Sequence, residues 1–409
     1  MSANDARETS LPAVARASLK ELAAFFLRLG VTAFGGPAAH IAIMEDELVR
    51  RRRWLSREKF LDLLGASNLI PGPSSSELAI HIGYARAGWA GLLVAGSCFI
   101  LPAACIVAVV AWAYVHFARL AVVSAILYGV KPVVIAVILQ ALWGLGRTAI
   151  KGIFLGAVAL VSLALAALSL HPLLLLVIVG LLAMFPELVT RIRQSGPLAI
   201  GSLAALRREQ APSNALAGVL AGAGAGAGAF AAPFSLGTLF LVFLKIGAVV
   251  FGSGYVLLAF LRADLVVHRG WLTDSQLIDA VAIGQITPGP VFTTATFIGY
   301  LLGGVKGAAV ATAGIFLPAF LLVAASGPLL PHIRKSKLAG AFLDGVIVAS
   351  LALMAVVTWE LARASLVDVT TILLAIASLI ALLRFRLNSA SLVLLGAVAG
   401  LVVHFVKAR

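Results

Sequence analysis

The sequence Phe34-Gly35-Gly36-Pro37 interrupts one apolar segment of the chain, and Pro71-Gly72-Pro73 interrupts the next. Both interruptions return later in the chain, as Phe251-Gly252-Ser253-Gly254 and Pro288-Gly289-Pro290. Glycine frees the backbone from side-chain constraint and proline removes a backbone donor, so each stretch is expected to break a helix. In an apolar chain, paired breaks in corresponding positions are a strong sequence indication of a transport site.

The four breaks belong to a long internal repeat. A register shift of 217 residues aligns both pairs of breaks and superposes Trp54 on Trp271. Past the second break the shift becomes 216 residues, and it superposes Pro102 on Pro318. The matched residues are of unlike types and extend over about 120 residues in each copy, which indicates a repeated structural unit rather than a short motif.

The composition predicts an all-α polytopic membrane protein. Hydrophobic residues make up 61% of the chain and charged residues 12%, and several apolar runs exceed the ~20 residues that a membrane helix needs. The formal charge of +14 does not indicate nucleic-acid binding, because most Lys and Arg residues lie at the ends of apolar runs and no separate basic domain exists. The lipid bilayer is therefore the expected environment, and nucleic acid is not an expected partner.

Four regions follow from the repeat and the charge pattern: a cytoplasmic tail (1–18), a first transporter repeat (19–186), a connector (187–235) and a second transporter repeat (236–409). The tail is polar and lacks the apolar core of a cleaved signal peptide. Within the connector, the Gly/Ala-rich run Leu216–Ala232 is long enough to cross the membrane once, and its composition also suits a flexible linker. Both readings stay open.

The basic loops predict that the two repeats are inverted. The first repeat has a basic cluster at 50–53, which the positive-inside rule places in the cytoplasm. In the second repeat the basic cluster has moved to a different loop, with Arg334, Lys335 and Lys337. Such a change of side is expected if the halves insert with opposite orientation. Counts of basic residues alone leave the second half undecided, and inversion also requires Leu216–Ala232 to cross the membrane.

A broken helix within a membrane leaves backbone N–H groups free, and together with the helix dipole these favour an anion. Hydroxyl residues follow each second break, and amides precede it, where they can donate to an oxyanion. The alternative is that these side chains only cap or tie down the half-helices. The predicted anion site comprises Arg28, Gly35, Gly36, Asn68, Gly72, Ser74, Ser75, Lys245, Gly252, Ser253, Gln285, Gly289, Thr293 and Thr294, between helix breaks at Pro37, Pro71, Pro73, Pro288 and Pro290.

Arg28 and Lys245 occupy equivalent positions, each six residues before a break and within an apolar helix. A charge at membrane depth costs ~2.5–3.5 kcal/mol on insertion scales, so a counter-charge or a wet cavity is expected. We expect the two cations to converge on one anion between the halves. Snorkelling of both side chains to the headgroups is the alternative.

Three residues of the first repeat are candidate proton carriers: Glu77, His40 and His81. Glu77 directly follows the first Pro-Gly-Pro and has no acidic counterpart, so it either carries a coupling proton or balances Arg28. Each histidine is also consistent with a hydrogen-bonded core residue. Lys131, which has no basic counterpart in the second repeat, is a weaker pore-lining candidate.

Enzyme chemistry has no support in the sequence. Paired catalytic carboxylates, a zinc-protease helix, a phosphate-binding loop and a nucleophile elbow do not occur in it. The two cysteines, Cys98 and Cys105, are too few for a metal site, and no metal or cofactor is predicted.

These motifs together resemble the chromate ion transporter family, in its long-chain, two-domain form. The resemblance covers nearly the whole chain and is carried by Phe34-Gly35-Gly36-Pro37-x-x-His40, the Arg-Arg-Trp54-Leu55 stretch, Pro71-Gly72-Pro73, the run from Gly83-Tyr84 to Gly91, and Leu101-Pro102. It implies a multi-pass protein of a bacterial or archaeal inner membrane that exports chromate, confers chromate resistance and uses the proton gradient. It also implies halves that arose by fusion of short paired proteins of opposite topology.

The sequence leaves two alternatives to chromate export. Chromate is a tetrahedral dianion nearly isosteric with sulfate, so a permease for sulfate or another oxyanion would use the same groups. From a different class, a membrane-embedded enzyme or scramblase acting on phosphate headgroups would need a catalytic acid pair or metal ligands near the breaks. The sequence leaves open whether the chain forms a homodimer.

Overall fold

The computed structural model describes residues 18–34, 36–117, 120–168, 170–194, 234–251, 256–385 and 387–407, and every regular element in these ranges is a helix. The first repeat contains α1 (Leu19–Thr32), α2 (Gly36–Glu45), a π-helical segment (Asp46–Arg51), α3 (Arg57–Ser67), α4 (Ser74–Phe117), α5 (Ala121–Ala149), α6 (Ile153–Ala167), α7 (Pro172–Ala183) and α8 (Phe185–Gln194). The second contains α9 (Leu236–Val249), α10 (Leu257–Leu261), a π-helical segment (Arg262–His268), α11 (Asp274–Ile286), a 3₁₀ turn (Val291–Thr293), α12 (Thr294–Lys335), α13 (Lys337–Ser365), α14 (Val369–Phe385) and α15 (Ser389–Lys407). The predicted crossing at 216–232 lies outside the described residues.

Six helical stretches of the described residues are long and apolar enough to span a membrane. They are Ser74–Phe117, Ala121–Ala149, Pro172–Thr190, Val291–Ser326, Lys337–Ser365 and Ser389–Val406. The predicted all-helical, multi-pass membrane fold of two homologous repeats with broken helices is therefore confirmed.

The first break produces a re-entrant hairpin. Helix α1 begins at a capping box between Ser18 and Glu21 and has 14 residues, so it is about 21 Å long and shorter than the membrane core. The chain then returns along α2 and the π-helical segment, and the Arg52 guanidinium comes to lie 5.6 Å from the Phe25 ring. Because Phe25 is at the middle of α1, the returning chain runs back along the second half of that helix and forms a hairpin with it.

The second break produces a second hairpin beside the first. Ser56 caps α3, accepting a hydrogen bond from the Lys59 N–H at 3.1 Å. After the Pro-Gly-Pro turn, the first arm of α4 (74–86) runs back until Arg86 donates to the Trp54 carbonyl at 2.8 Å. Both hairpins therefore have their open ends near Trp54 and their breaks at the far end.

A sharp turn divides α4 into two arms, and α12 into two equivalent arms. Gly88 has φ +60° and Gly304 has φ +59°, a left-handed conformation that glycine adopts without the cost a side chain would add. Gly83 packs against Gly91 across the first turn, so the absence of side chains lets the arms touch. The repeated glycines of the sequence thus specify a tight helical turn in each half.

The long arms of the two halves pack side by side in opposite directions. Leu92, early in the long arm of α4, shares a small apolar cluster with Ala319 and Val323, late in the long arm of α12. Further along α4, Ile100 lies with Phe316, which comes earlier in α12. The contacts therefore run in opposite senses along the two arms.

The outer helices interlock the halves. Helix α5 of the first repeat packs against α14 and α15 of the second, whereas α13 of the second packs against α6 and α7 of the first. Glycines permit the closest approaches: Gly129 lies against Gly396 and Gly400, and Gly345 lies against Gly180. The two repeats consequently share one continuous apolar core.

Candidate functional site

The breaks of one half hydrogen-bond to those of the other. The Gly72 N–H donates to the Val250 carbonyl at 2.7 Å, and the Gly289 N–H donates to the Ala33 carbonyl at 2.9 Å. The two bonds are equivalent under the 217-residue shift. The last carbonyls of a helix have no partner within it, and here the Pro-Gly-Pro turn of the opposite repeat supplies one. Both Pro-Gly-Pro turns therefore meet the end of a half-helix of the opposite repeat at the interface of the halves.

His40 and Ser75 join this meeting point from the first half. His40 is fully buried, with Nε2 3.2 Å from the Ala33 carbonyl oxygen and Nδ1 3.3 Å from the Ser75 hydroxyl. A carbonyl only accepts, so Nε2 carries the proton of that hydrogen bond. The histidine thus links the α1 break to the first turn of α4.

The short arm of α4 places several buried polar groups without partners next to the Pro-Gly-Pro turn. Glu77 is fully buried beneath Gly72. Among the described residues, its two carboxylate oxygens, the Ser76 hydroxyl and His81 Nε2 have no hydrogen-bond partner. Glu77 and His81 are four residues apart and share one face of the arm. Burial of polar groups without partners is costly, so these atoms are candidates to meet a proton or a ligand.

The hydroxyls of the second half are engaged with the backbone. Thr293 donates to the Pro290 carbonyl and Thr294 donates to the Val291 carbonyl, both at 2.8 Å. Their protons are therefore not available to an anion in this state, and the capping alternative describes these two residues.

The two amides that precede the breaks are not placed alike. Asn68 is exposed at the end of α3, whereas Gln285 is buried in the core of the second repeat. Gly35, Gly252 and Ser253 lie outside the described residues.

The two membrane cations do not converge on a common point, which corrects the expectation from the sequence. Arg28 is exposed on the wall of an open cavity of about 450 Å³, together with Asp46, Glu47 and Arg51. Lys245 instead forms an ion pair with Asp264, whose Oδ1 lies 2.6 Å from Nζ. Each cation lies with carboxylates of its own half because the returning arm of each hairpin carries acids past it.

Further basic groups surround the Lys245–Asp264 pair. Arg269 lies 3.6 Å from the same carboxylate oxygen, and the His268 ring lies 5.7 Å from that of His171. His171 precedes the span that begins at Pro172, and burial, Lys245 and His268 lower its pKa while Asp264 raises it. Asp264 thus stands among four groups that can carry positive charge.

A polar network that the sequence did not predict joins the halves. Asp279 is buried and accepts a hydrogen bond from the Tyr114 hydroxyl at 2.8 Å, and Lys131 lies 3.3 Å from its other oxygen. Lys131 also donates to Ser275 at 2.7 Å. Tyr114 and Lys131 belong to the first half, and the other two residues to the second. In the sequence, Lys131 was distinguished only by its lack of a basic counterpart in the second repeat, and this did not identify Asp279 as its partner.

The fold and the site define a class. The chain is a multi-pass plasma-membrane protein whose two repeats bring together broken helices, buried polar groups and an open cavity lined by charged residues, which is the arrangement of a transport protein rather than of an enzyme.

The chain belongs to the chromate transporter family, whose model matches residues 20–184 and again 237–401. It is 32% identical to the "Probable chromate transport protein" of Synechococcus elongatus, over 85% of each chain. It is 33% identical to the "Chromate transport protein" of Cupriavidus metallidurans, over 85% of this chain and 83% of the relative. The protein of the same name from Pseudomonas aeruginosa is 34% identical, over 85% and 82% respectively. No solved structure matches the chain.

Proposed function

We propose that this protein exports chromate from the cell, that it uses the proton gradient, and that it thereby confers resistance. The relatives named as chromate transport proteins support the substrate. The observation that carries the mechanism is the reciprocal pair of hydrogen bonds between the breaks, because it puts the helix ends of both halves at one interface. Opening of this interface first to one side of the membrane and then to the other gives an alternating-access cycle.

The anion enters through the Arg28 cavity. Arg28 supplies the positive charge on its wall, since Arg51 there is paired with Asp46 at 2.9 Å. Thr32, the last residue of α1, leads from the cavity to the break. Beyond the break, the first turn of α4 offers backbone N–H groups, and Ser74 and Ser75 stand at its start. A dianion is favoured there by the helix dipole and by N–H groups that lack helical partners.

Glu77 carries the coupling proton, with His40 and His81 as its relay partners. A carboxylate without a counter-charge is costly to bury, so Glu77 is charged only when water or a cation reaches it. The empty carrier returns only with Glu77 protonated, because an unpaired buried carboxylate is costly, and it releases that proton to the cytoplasm before chromate binds. Proton and chromate are thus carried in opposite half-cycles, which exchanges one flux for the other. The second repeat has threonines in place of Glu77, so the coupling is assigned to the first repeat.

The two repeats insert in opposite orientations. The antiparallel packing of the long arms supports this, because each long arm starts at the open ends of the hairpins of its own half. If the open ends near Trp54 face the cytoplasm, as the basic cluster indicates, those near Trp271 face the opposite side. The Arg28 cavity is then on the cytoplasmic side, where an exporter collects its substrate.

Resistance assays test the assigned site. Arg28→Ala and Lys245→Ala are each expected to abolish growth on chromate at equal expression. The control is Lys151→Ala, because the Lys151 side chain is 62% exposed and pairs only with Asp344 among the described residues; this variant should leave resistance unchanged. Wild-type resistance in both test variants would refute the site. Accumulation of labelled sulfate, with chromate unable to compete, would identify a sulfate permease instead.

A further inference from the structure

The repeat relates three charged residues around each membrane cation. The 217-residue shift superposes Arg28 on Lys245, Glu47 on Asp264 and Arg52 on Arg269. In both halves the cation is on the first half-helix, the acid is on the π-helical segment that returns past it, and the arginine is next to the open end of the hairpin.

The same three positions are bonded differently in the two halves. In the second half, Asp264 lies 2.6 Å from Lys245 and 3.6 Å from Arg269, so the acid is engaged chiefly with the membrane cation. In the first half, the Glu47 carboxylate lies 2.8 Å from Arg52. Arg28 makes no ion pair with any described residue and faces the open cavity.

We propose that Glu47 and Asp264 are exchangeable counter-ions that occupy the cation sites of the transported anion. Each carboxylate alternates between the membrane cation and the arginine at the hairpin end, and the oxyanion binds the cation once the carboxylate has moved to the arginine. The proposal rests on the proposed function, since it needs a transported oxyanion. In the present state the Arg28 site is available and the Lys245 site is occupied by Asp264.

The physical basis is competition for the same donors. Carboxylate and oxyanion both bind Lys or Arg by charge-assisted hydrogen bonds, so one excludes the other. Because Asp264 is on the same hairpin as Lys245, its effective concentration is high, and the apparent affinity for an outside anion falls by the fraction of time that the site is free. The side chain of Asp264 is 8% exposed and that of Glu47 is 21% exposed, so the engaged acid is also the more enclosed one.

Binding of radiolabelled chromate to the purified full-length protein in lipid nanodiscs tests the proposal. Asp264→Asn keeps the size of the side chain and removes the competing charge, so it is expected to expose a second anion site or to tighten binding roughly three- to tenfold. Adding Lys245→Ala to Asp264→Asn should abolish that gain. The matched control is Asp274→Asn, because Asp274 pairs with Arg262 at 2.8 Å and is expected to leave binding within about twofold.

The outcomes separate this inference from the proposed function. A wild-type protein that binds neither chromate nor sulfate would refute the function itself. Wild-type binding that Asp264→Asn leaves unchanged would overturn only the counter-ion exchange.

A second variant covers a failure of Asp264→Asn to fold. Glu47→Gln should keep chromate binding at the Arg28 site but lower transport in proteoliposomes by about tenfold or more, because the cavity loses the acid that closes it. Normal transport by Glu47→Gln would contradict the proposal.

Discussion

The ion pair between Lys131 and Asp279 is expected to hold the two halves together, and its energetics follow from its burial. At 3.3 Å and an effective dielectric constant of about 20, the attraction between the two charges is about 5 kcal/mol before desolvation is subtracted. The Asp279 side chain is 4% exposed and that of Lys131 is 20% exposed, so the two partners do not depend on each other equally. Lys131 is partly accessible at the protein surface, and Asp279 is enclosed.

Single substitutions should therefore have unequal costs. Lys131→Met leaves a buried carboxylate without its counter-charge and is expected to cost ~3–5 kcal/mol of unfolding free energy. Asp279→Asn keeps an acceptor for Tyr114 and leaves Lys131 bonded to Ser275, so its cost should be ~1–2 kcal/mol. The double variant should be more stable than Lys131→Met alone, because it no longer buries an unpaired charge.

The assay is unfolding of the purified protein by SDS titration in mixed micelles, for the wild type, both single variants and the double variant. The control is the 2.8 Å pair formed by Lys151, in the loop between α5 and α6, and Asp344 on α13, because these side chains are 62% and 32% exposed. Removing either partner of the control pair should cost less than ~1 kcal/mol. The reasoning fails if Lys131→Met costs no more than Asp279→Asn, or if the double variant loses the sum of the two single losses.

Three other predictions concern coupling, packing and topology. Glu77→Gln should fold and bind chromate but transport it at a rate that no longer depends on the pH gradient in proteoliposomes; an unchanged dependence would count against coupling at this residue. Gly289 has φ +90° and touches α4, whereas Gly304 has φ +59° and faces open space. Gly289→Ala should therefore cost ~2–5 kcal/mol by strain and overpacking and Gly304→Ala only ~1–2 kcal/mol, and equal thermal stabilities would contradict the cross-half contact. Single cysteines at Arg57 and Ser275, in the first turns of α3 and α11, in a chain without native cysteines, should react with impermeant reagent from opposite faces of the membrane, and labelling from one face would exclude inversion.

The broken helices could be predicted from the sequence because their cause is local. Glycine and proline disrupt a helix wherever they cluster, and the 217-residue shift shows that each half uses the same devices. These residues directly predict the helix breaks at Phe34-Gly35-Gly36-Pro37 and Pro71-Gly72-Pro73. The sequence did not show that each Pro-Gly-Pro turn bonds to the other half, because a repeat indicates equivalence and not contact.

The candidate site was predicted less completely, because its partners are far apart in the chain. Tyr114 and Asp279 are 165 residues apart, and no local pattern marks the tyrosine as a donor. Glu47 and Asp264 are different: their equivalence under the repeat was present in the sequence and identifies the acids that accompany Arg28 and Lys245. The expectation that Arg28 and Lys245 share one anion was wrong, because pseudo-symmetry makes two residues equivalent without bringing them together.

Accumulation of chromate by inside-out membrane vesicles is the most direct test of the central claim that this chain is a proton-coupled chromate exporter. With an acid interior, vesicles that contain the protein should take up chromate, a protonophore should abolish the uptake, and Glu77→Gln vesicles should show no response to the gradient. Chromate uptake that is indifferent to the gradient would contradict the coupling. No chromate uptake by vesicles that hold correctly folded protein and a verified gradient would contradict the function.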